Sequence, residues 1–253
     1  MRGRERLLGA AAFLAVLGLV LPGAHAALIT VANGSFESHA LGSDTSDAIN
    51  GGTSNNGVVP DWYVSCATFG YAGERDPGDS LYTGAAYPNN IPGGYAQGKQ
   101  SGYLHWGAGT FAGSQSYLQT VNAVTTIKTG WDYTLTVAFG TPKIVGDNST
   151  NTKVSSAQLI ILANNVAVAT TTITPPAKDS WSEASVTLTK ETIAASGLNG
   201  QEMKLKLWAM YTGSGGKRAI DFDNLRLDGV PEPAAMGFLV IGAVGLLLRK
   251  RRR

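Results

Sequence analysis

The 253-residue chain has one cysteine, Cys66, so it cannot close an internal disulfide. A thiol nucleophile would need a positioned histidine, and the whole chain holds only three. Charge is also scarce, at 15% of residues. The formal net charge of +2 comes from the two ends: residues 27–230 carry 12 Lys and Arg against 16 Asp and Glu, a balance near −4. That balance excludes the basic face a nucleic-acid-binding protein needs. No G-x-S-x-G elbow, H-E-x-x-H pair or phosphate-binding loop occurs. Sustained helical periodicity is missing as well, which excludes a helical bundle.

What is present is short alternation between Gly-, Ser-, Thr- and Asn-rich turns. In WDYTLTVAFG, Tyr133, Leu135, Val137 and Phe139 share one face and Asp132, Thr134 and Thr136 the other. MKLKLWAMY puts Met203, Leu205, Leu207, Ala209 and Tyr211 on its apolar face. QLIILA is apolar in both phases and predicts a strand covered on both sides. Asn164-Asn165 separates two apolar runs by two residues, a hairpin turn of the positive-φ type. In RAIDFDNLRL the apolar phase changes between Phe222 and Leu225, which predicts a β-bulge near Asp223-Asn224. Residues 191–196 could hold one helical turn. Many short strands with such turns give an all-β sandwich.

The ends read as address signals. Arg2, Arg4 and Arg6 precede an apolar run, Leu7–Leu21, and Ala24-His25-Ala26 fits a small-x-small cleavage site, so 1–26 reads as a signal peptide cut after Ala26. At the other end, Pro231, Glu232 and Pro233 precede an uncharged run, Ala234–Leu248, and five basic residues. As a helix that run reaches about 22 Å against roughly 30 Å of bilayer hydrocarbon, short for a permanent anchor. The basic cluster holds its C-terminus on the cytoplasmic side. The order V-P-E-P, short apolar helix, terminal Arg/Lys cluster resembles the PEP-CTERM family of exported bacterial proteins. The resemblance implies an exosortase as processing partner, cleavage near Pro231, Glu232 and Pro233, and a transient membrane intermediate. The protein would then reach the cell surface or extracellular matrix, in bacteria that make extracellular polysaccharide.

A second resemblance covers nearly all of 27–229. NGSFE (Asn33 to Glu37), VPDW (Val59 to Trp62), SYLQTV, TGWDYTLTVAFG and the closing IDFDNLRL are similar in order to jelly-roll, galactose-binding-like domains, including carbohydrate-binding modules. The chain departs from that pattern at Asn224, where a second Asp is usual, and in an insert-like stretch from His39 to Pro60. The resemblance implies a jelly-roll β-sandwich. It also implies a structural Ca2+ where the opening and closing strands meet, with Glu37 and Asp223 as carboxylate ligands.

Sugar binding needs aromatic faces with amide and carboxylate neighbours. Residues 61–117 hold 11 of the 21 Phe, Trp and Tyr residues. Tyr82, Tyr87, Tyr95 and Trp106, with Gln97 and His105 as polar companions, are the candidates there, while Trp62 and Tyr103 are expected in the core. Trp208 shares the polar phase of its strand with Lys204 and Lys206, so it faces outward as a ligand platform or lies under a loop. Asp221 and Asp223 stand about 7 Å apart on one strand face, a carboxylate spacing of glycosidase type. Around them the sequence shows no other part of a catalytic site. The expectation is therefore a non-catalytic exported protein that binds extracellular polysaccharide. A purely structural surface protein and a polysaccharide hydrolase are the alternatives.

Overall fold

The computed structural model describes residues 25–38, 41, 46–55, 59–75, 100–106, 113–143, 154–212 and 218–232, with the side chains of 46–55 and 67–69 excepted. Twelve strands and one short helix follow in chain order: β1 (Ala27–Ile29), β2 (Ser46–Asn55), β3 (Trp62–Arg75), β4 (Ser101–Trp106), β5 (Ser114–Thr120), β6 (Thr125–Thr126), β7 (Trp131–Thr141), β8 (Ser156–Ala163), β9 (Val166–Ile173), β10 (Ser180–Leu188), α1 (Lys190–Ala195), β11 (Glu202–Tyr211) and β12 (Arg218–Pro231). The expected all-β sandwich is the fold found, and Leu28–Gly229 forms one unit.

Strand β3 creates the two layers. Its first half, Trp62–Ser65, pairs antiparallel with β5, which continues through β11 and β8 to β9. Its second half, Gly70–Arg75, pairs with β4, which continues through β12 and β7 to β10. One long strand therefore serves both sheets. Strand β2 runs beside it along both halves, with a register shift between Asn50 and Gly52. That strand lies in the stretch read as an insert; its sequence SDAINGGTSN carries no apolar alternation to announce it.

The core follows from period-two alternation. Leu205, Leu207 and Ala209 of β11 and Leu159 and Ile161 of β8 are fully buried. From the other layer come Leu135 and Val137 of β7 and Leu188 of β10. Strand β8 is closed on both faces as its sequence predicts, with Ile160 and Leu162 buried too. Asn164 and Asn165 have φ of 46° and 67° and form the β8–β9 hairpin. Asn224 has φ of 49° at the predicted change of phase, so Phe222 before it and Leu225 and Leu227 after it are all buried. Helix α1 spans the expected helical turn, and the Thr189 hydroxyl caps it by accepting the Thr192 N–H at 3.3 Å.

The opening motif acts through Phe36. Its residue adopts φ of 56°, and its ring is fully buried 5.4 Å from that of Trp62. A Cβ on Gly102 would come within 2.6 Å of the Phe36 ring and 2.9 Å of Leu118, so only glycine lets this ring lie across β4. The Gly34 carbonyl accepts the Leu225 N–H at 2.9 Å, joining the opening turn to β12. Among the described residues no helix is long and apolar enough to cross a membrane.

Candidate active site

The contact of Gly102 with Phe36 and Leu118 fixes which side of β4 faces the core. Residues directly opposite in an antiparallel pair share a face. Glu74 and Phe222 lie opposite Gly102, so they point inward with it. Gly73 and Asp221 lie opposite Tyr103, on the outer face. Alternation adds Tyr71, Arg75, Ser101 and His105 to that outer face.

An outer face of a two-layer sandwich is ordinarily solvated and polar. This one is buried. Asp221 is 0% exposed, Tyr103 4% and Arg75 7%. The Arg75 guanidinium donates through Nη2 to Asp221 Oδ1 and lies 4.6 Å from the centroid of the Tyr103 ring. A guanidinium remains protonated at any working pH, so it presents a fixed positive charge to the carboxylate. The arrangement places an acid, a cation and a phenol within a few ångströms in a desolvated setting, where electrostatic interactions are strong. Two residues along β3 and β4, Tyr71 and His105 stack with centroids 5.7 Å apart and planes 26° from parallel. Tyr71 is 36% exposed, so the ring pair sits at the open end of the face and the charges at its closed end.

Of the residues proposed from the sequence for sugar binding, Trp106 is misplaced. It is fully buried on the inward side of β4, where no ligand face is available, and this corrects the expectation. Trp208 does face outward, on β11, and its Nε1 donates to Gln115 Oε1 at 3.1 Å. Tyr82, Tyr87, Tyr95 and Gln97 lie outside the described residues. Glu37 Oε1 accepts the Gln100 N–H at 2.6 Å, and Asp223 Oδ1 accepts the Asn224 N–H at 2.5 Å. Among the described residues no three His, Cys, Asp or Glu converge as a metal cluster. Ala26 precedes β1, Pro231 ends β12 and Glu232 follows it, while Pro233 lies outside the described residues.

Asp221 was visible in the sequence as an acid between Ile220 and Phe222, in an apolar strand. Its partners were not, because nothing in the sequence says that β4 lies between β3 and β12.

Fold and site together define an all-β sandwich with a buried acid–guanidinium–phenol cluster on one sheet. The chain belongs to the HpiC1-like family, described as HpiC1 cyclase, whose model matches residues 27–228. No curated protein matches the sequence. Among solved structures the chain is similar to the Stig cyclase Fisc from Fischerella sp. TAU in complex with (3Z)-3-(1-methyl-2-pyrrolidinylidene)-3H-indole. The identity is 18%, the TM-score 0.58, and 82% of this chain and 100% of that chain are covered. A cyclase from Fischerella sp. in its apo form aligns at 19% identity and TM-score 0.59, over 82% of this chain and 98% of that one. A cyclase from Fischerella sp. TAU in complex with 4-(1H-indol-3-yl)butan-2-one aligns at 21% and 0.53, over 81% and 98%.

Membership of a cyclase family corrects the sequence-based account on several points. The HpiC1-like family, matched over 27–228, stands in place of the carbohydrate-binding-module resemblance drawn for 27–229 and of the PEP-CTERM resemblance drawn from the C-terminal residues 230–253. A catalytic family overturns the expectation of a non-enzymatic surface protein, and with it the hydrolase and purely structural alternatives. Membership of a cyclase family likewise overturns exosortase and extracellular polysaccharide as the expected partners. The carbohydrate-binding reading has a physical root: the motifs that carried it, such as NGSFE with its buried Phe36, build the sandwich and say nothing of its ligand.

Proposed function

We propose that this protein is a cyclase that closes a ring within a small, flat, nitrogen-bearing aromatic substrate on the outer face of β3, β4 and β12. The observation that carries the reading is the buried Arg75–Asp221 pair beside Tyr103, in a chain of a cyclase family. Two of the similar solved cyclases hold indole compounds, which supports an aromatic heterocycle as the substrate class.

Ring closure within one molecule is first a problem of conformation. A flexible side chain must fold back onto its ring, and holding it there removes most of the entropic barrier. The stacked Tyr71 and His105 rings offer a flat surface for the heterocycle, and the buried Arg75–Asp221 pair lies further along the same face. The second problem is charge. Bond formation at a carbon of an electron-rich heterocycle leaves positive charge on its nitrogen until a proton is lost. The Asp221 carboxylate, held in place by Arg75, stabilises that charge and accepts the proton. Tyr103 positions the guanidinium by stacking and closes the site against water. The reaction leaves composition unchanged: the π bond of the side-chain alkene opens as one of its carbons takes a proton from solvent and the other bonds to the ring carbon, and the proton that ring carbon then loses passes through Asp221 back to solvent.

Two further elements belong to this reading. Residues 1–26 would export the chain, with cleavage after Ala26. A structural Ca2+ would sit where the opening turn meets β12, with Glu37 and Asp223 as carboxylate ligands and main-chain carbonyls completing the oxygen shell. The donor chemistry suits a hard cation, and the Gly34–Leu225 hydrogen bond brings the two segments together. Calcium should then raise the melting temperature of the wild type and leave Asp223→Ala unmoved.

The reading is tested by incubating the protein with indoles that bear flexible alkenyl side chains and following the appearance of isomers of unchanged mass by chromatography and NMR. Stereochemically uniform ring-closed products are expected. Recovery of only starting material across such a panel, with the protein folded, would defeat it.

A further inference from the structure

The other sheet carries an unusual outer face of its own, which the proposed reaction does not use. Across β3, β5 and β11 the register sets Tyr63 beside Gln119 and Lys206, and in the next row Ser65 beside Tyr117 and Trp208. An outer sheet face of this protein can be plainly polar: β9 shows exposed Thr170 and Thr172. Here instead three large aromatic side chains sit half-buried together. The Tyr63 and Tyr117 rings pack against each other, with centroids 5.8 Å apart and planes tilted by 32°. Lys206 Nζ lies 3.7 Å from the Tyr117 ring centroid, a cation–π contact, and its burial pushes the ammonium below its ordinary range. Trp208 is pinned by its bond to Gln115.

Beside these rings lies an open cavity of about 280 Å³, lined by Tyr63, Tyr117, Gln119, Thr120, Val121 and Lys204. Its size is near the lower end of small-ligand pockets, enough for one or two rings. Among the lining residues Lys204 is the charged one, and the nearest acid along β11, Glu202, stands exposed at the end of the strand. Aromatic walls, an amide and an ammonium ask for a flat ring that bears a negative group.

We propose that the outer face of β3, β5 and β11 is a second ligand site that takes a small aromatic carboxylate, its ring in the cavity against Tyr63 and Tyr117 and its carboxylate on Lys204. The site is independent of the cyclase reading, because it lies on the other sheet and shares no residue with Arg75, Tyr103 or Asp221. It suits a product or effector acid that the protein carries without transforming.

The test is calorimetric titration of the full chain with indole-3-carboxylate and, in parallel, with its neutral carboxamide. The carboxylate should bind one equivalent at this face, and the carboxamide about tenfold more weakly, the loss expected for one charge-assisted contact. Lys204→Met, a half-exposed position, and Tyr117→Leu should each weaken the carboxylate about tenfold or more by the same reckoning, with unchanged circular dichroism. Asp221→Asn should leave this binding intact. Equal affinity in Lys204→Met and Tyr117→Leu, loss of binding in Asp221→Asn, or no heat at millimolar ligand would each overturn the proposal. A failed ring-closure assay would not touch it.

Discussion

Arg75 reaches across a whole strand to Asp221. The two residues are 146 positions apart in the chain and lie on β3 and β12, with β4 between them, and the guanidinium passes over Tyr103 of β4 to make the contact. Two strand spacings amount to about 9.5 Å, within reach of an extended arginine. The contact therefore links three strands on a buried face, and it can form only if the β3–β4–β12 order and register are right.

A buried charge deprived of its partner is costly, more so than the pair is beneficial. Arg75→Met should lower unfolding free energy by about 3–5 kcal/mol, because it leaves the Asp221 carboxylate desolvated. Adding Asp221→Asn to that variant should restore much of the loss, since the remaining amide carries no charge. Urea denaturation of the wild type, both single variants and the double variant gives the coupling directly.

Gly102→Ala should destabilise by about 1–3 kcal/mol, because a methyl group there overlaps the Phe36 ring and Leu118. Phe36→Leu in the same chain should recover part of the loss, whereas an independent glycine effect would add to it. Thermal melts of the two single variants and the double variant distinguish these outcomes.

Tyr133 supplies an alkaline test of the β7 face. Burial pushes its phenol above the ordinary value of 10.0, outweighing the Lys128 N–H that donates to its oxygen at 3.0 Å. The folded state thus holds this proton after the unfolded chain has released it. Its contribution is complete below the unfolded value and is lost as pH climbs from about 10 through the folded value. Tyr133→Phe should begin about 1 kcal/mol less stable at neutral pH for want of the hydrogen bond. Its melting temperature should then fall less steeply than the wild type's above pH 10, with Tyr117 and Lys206 acting alike in both proteins.

Much of the fold was legible because alternation is a local property. Tyr133, Leu135 and Val137 declare one face of β7 without help from any other strand, and Asn164-Asn165 declares its own turn. The phase change before Leu225 even located the left-handed residue, Asn224. Strand β2 was not legible, since its Gly, Ser and Asn residues form a strand only because β3 offers hydrogen bonds beside them. The active-site candidate escaped for a related reason. Asp221 stands out as an acid in an apolar strand, but Arg75, Tyr103 and Asp221 come from three strands whose order is set by long-range pairing, and no local pattern groups them. Trp106 misled in the opposite sense: its neighbours are polar and glycine-rich, yet its position on β4 turns it into the core. Aromatic composition identifies residues able to bind a ring, while register decides whether they face a ligand or the opposite sheet.

The most direct test of the central claim compares ring closure by the wild type with that by Asp221→Asn, a substitution that keeps shape and can still accept a hydrogen bond from Arg75. With melting temperature and circular dichroism showing both proteins folded, the account predicts a fall in kcat of about 100-fold or more, typical for loss of a proton-accepting group, with KM nearly unchanged. Ring closure at the wild-type rate in Asp221→Asn would contradict the account and move the chemistry elsewhere in the sandwich.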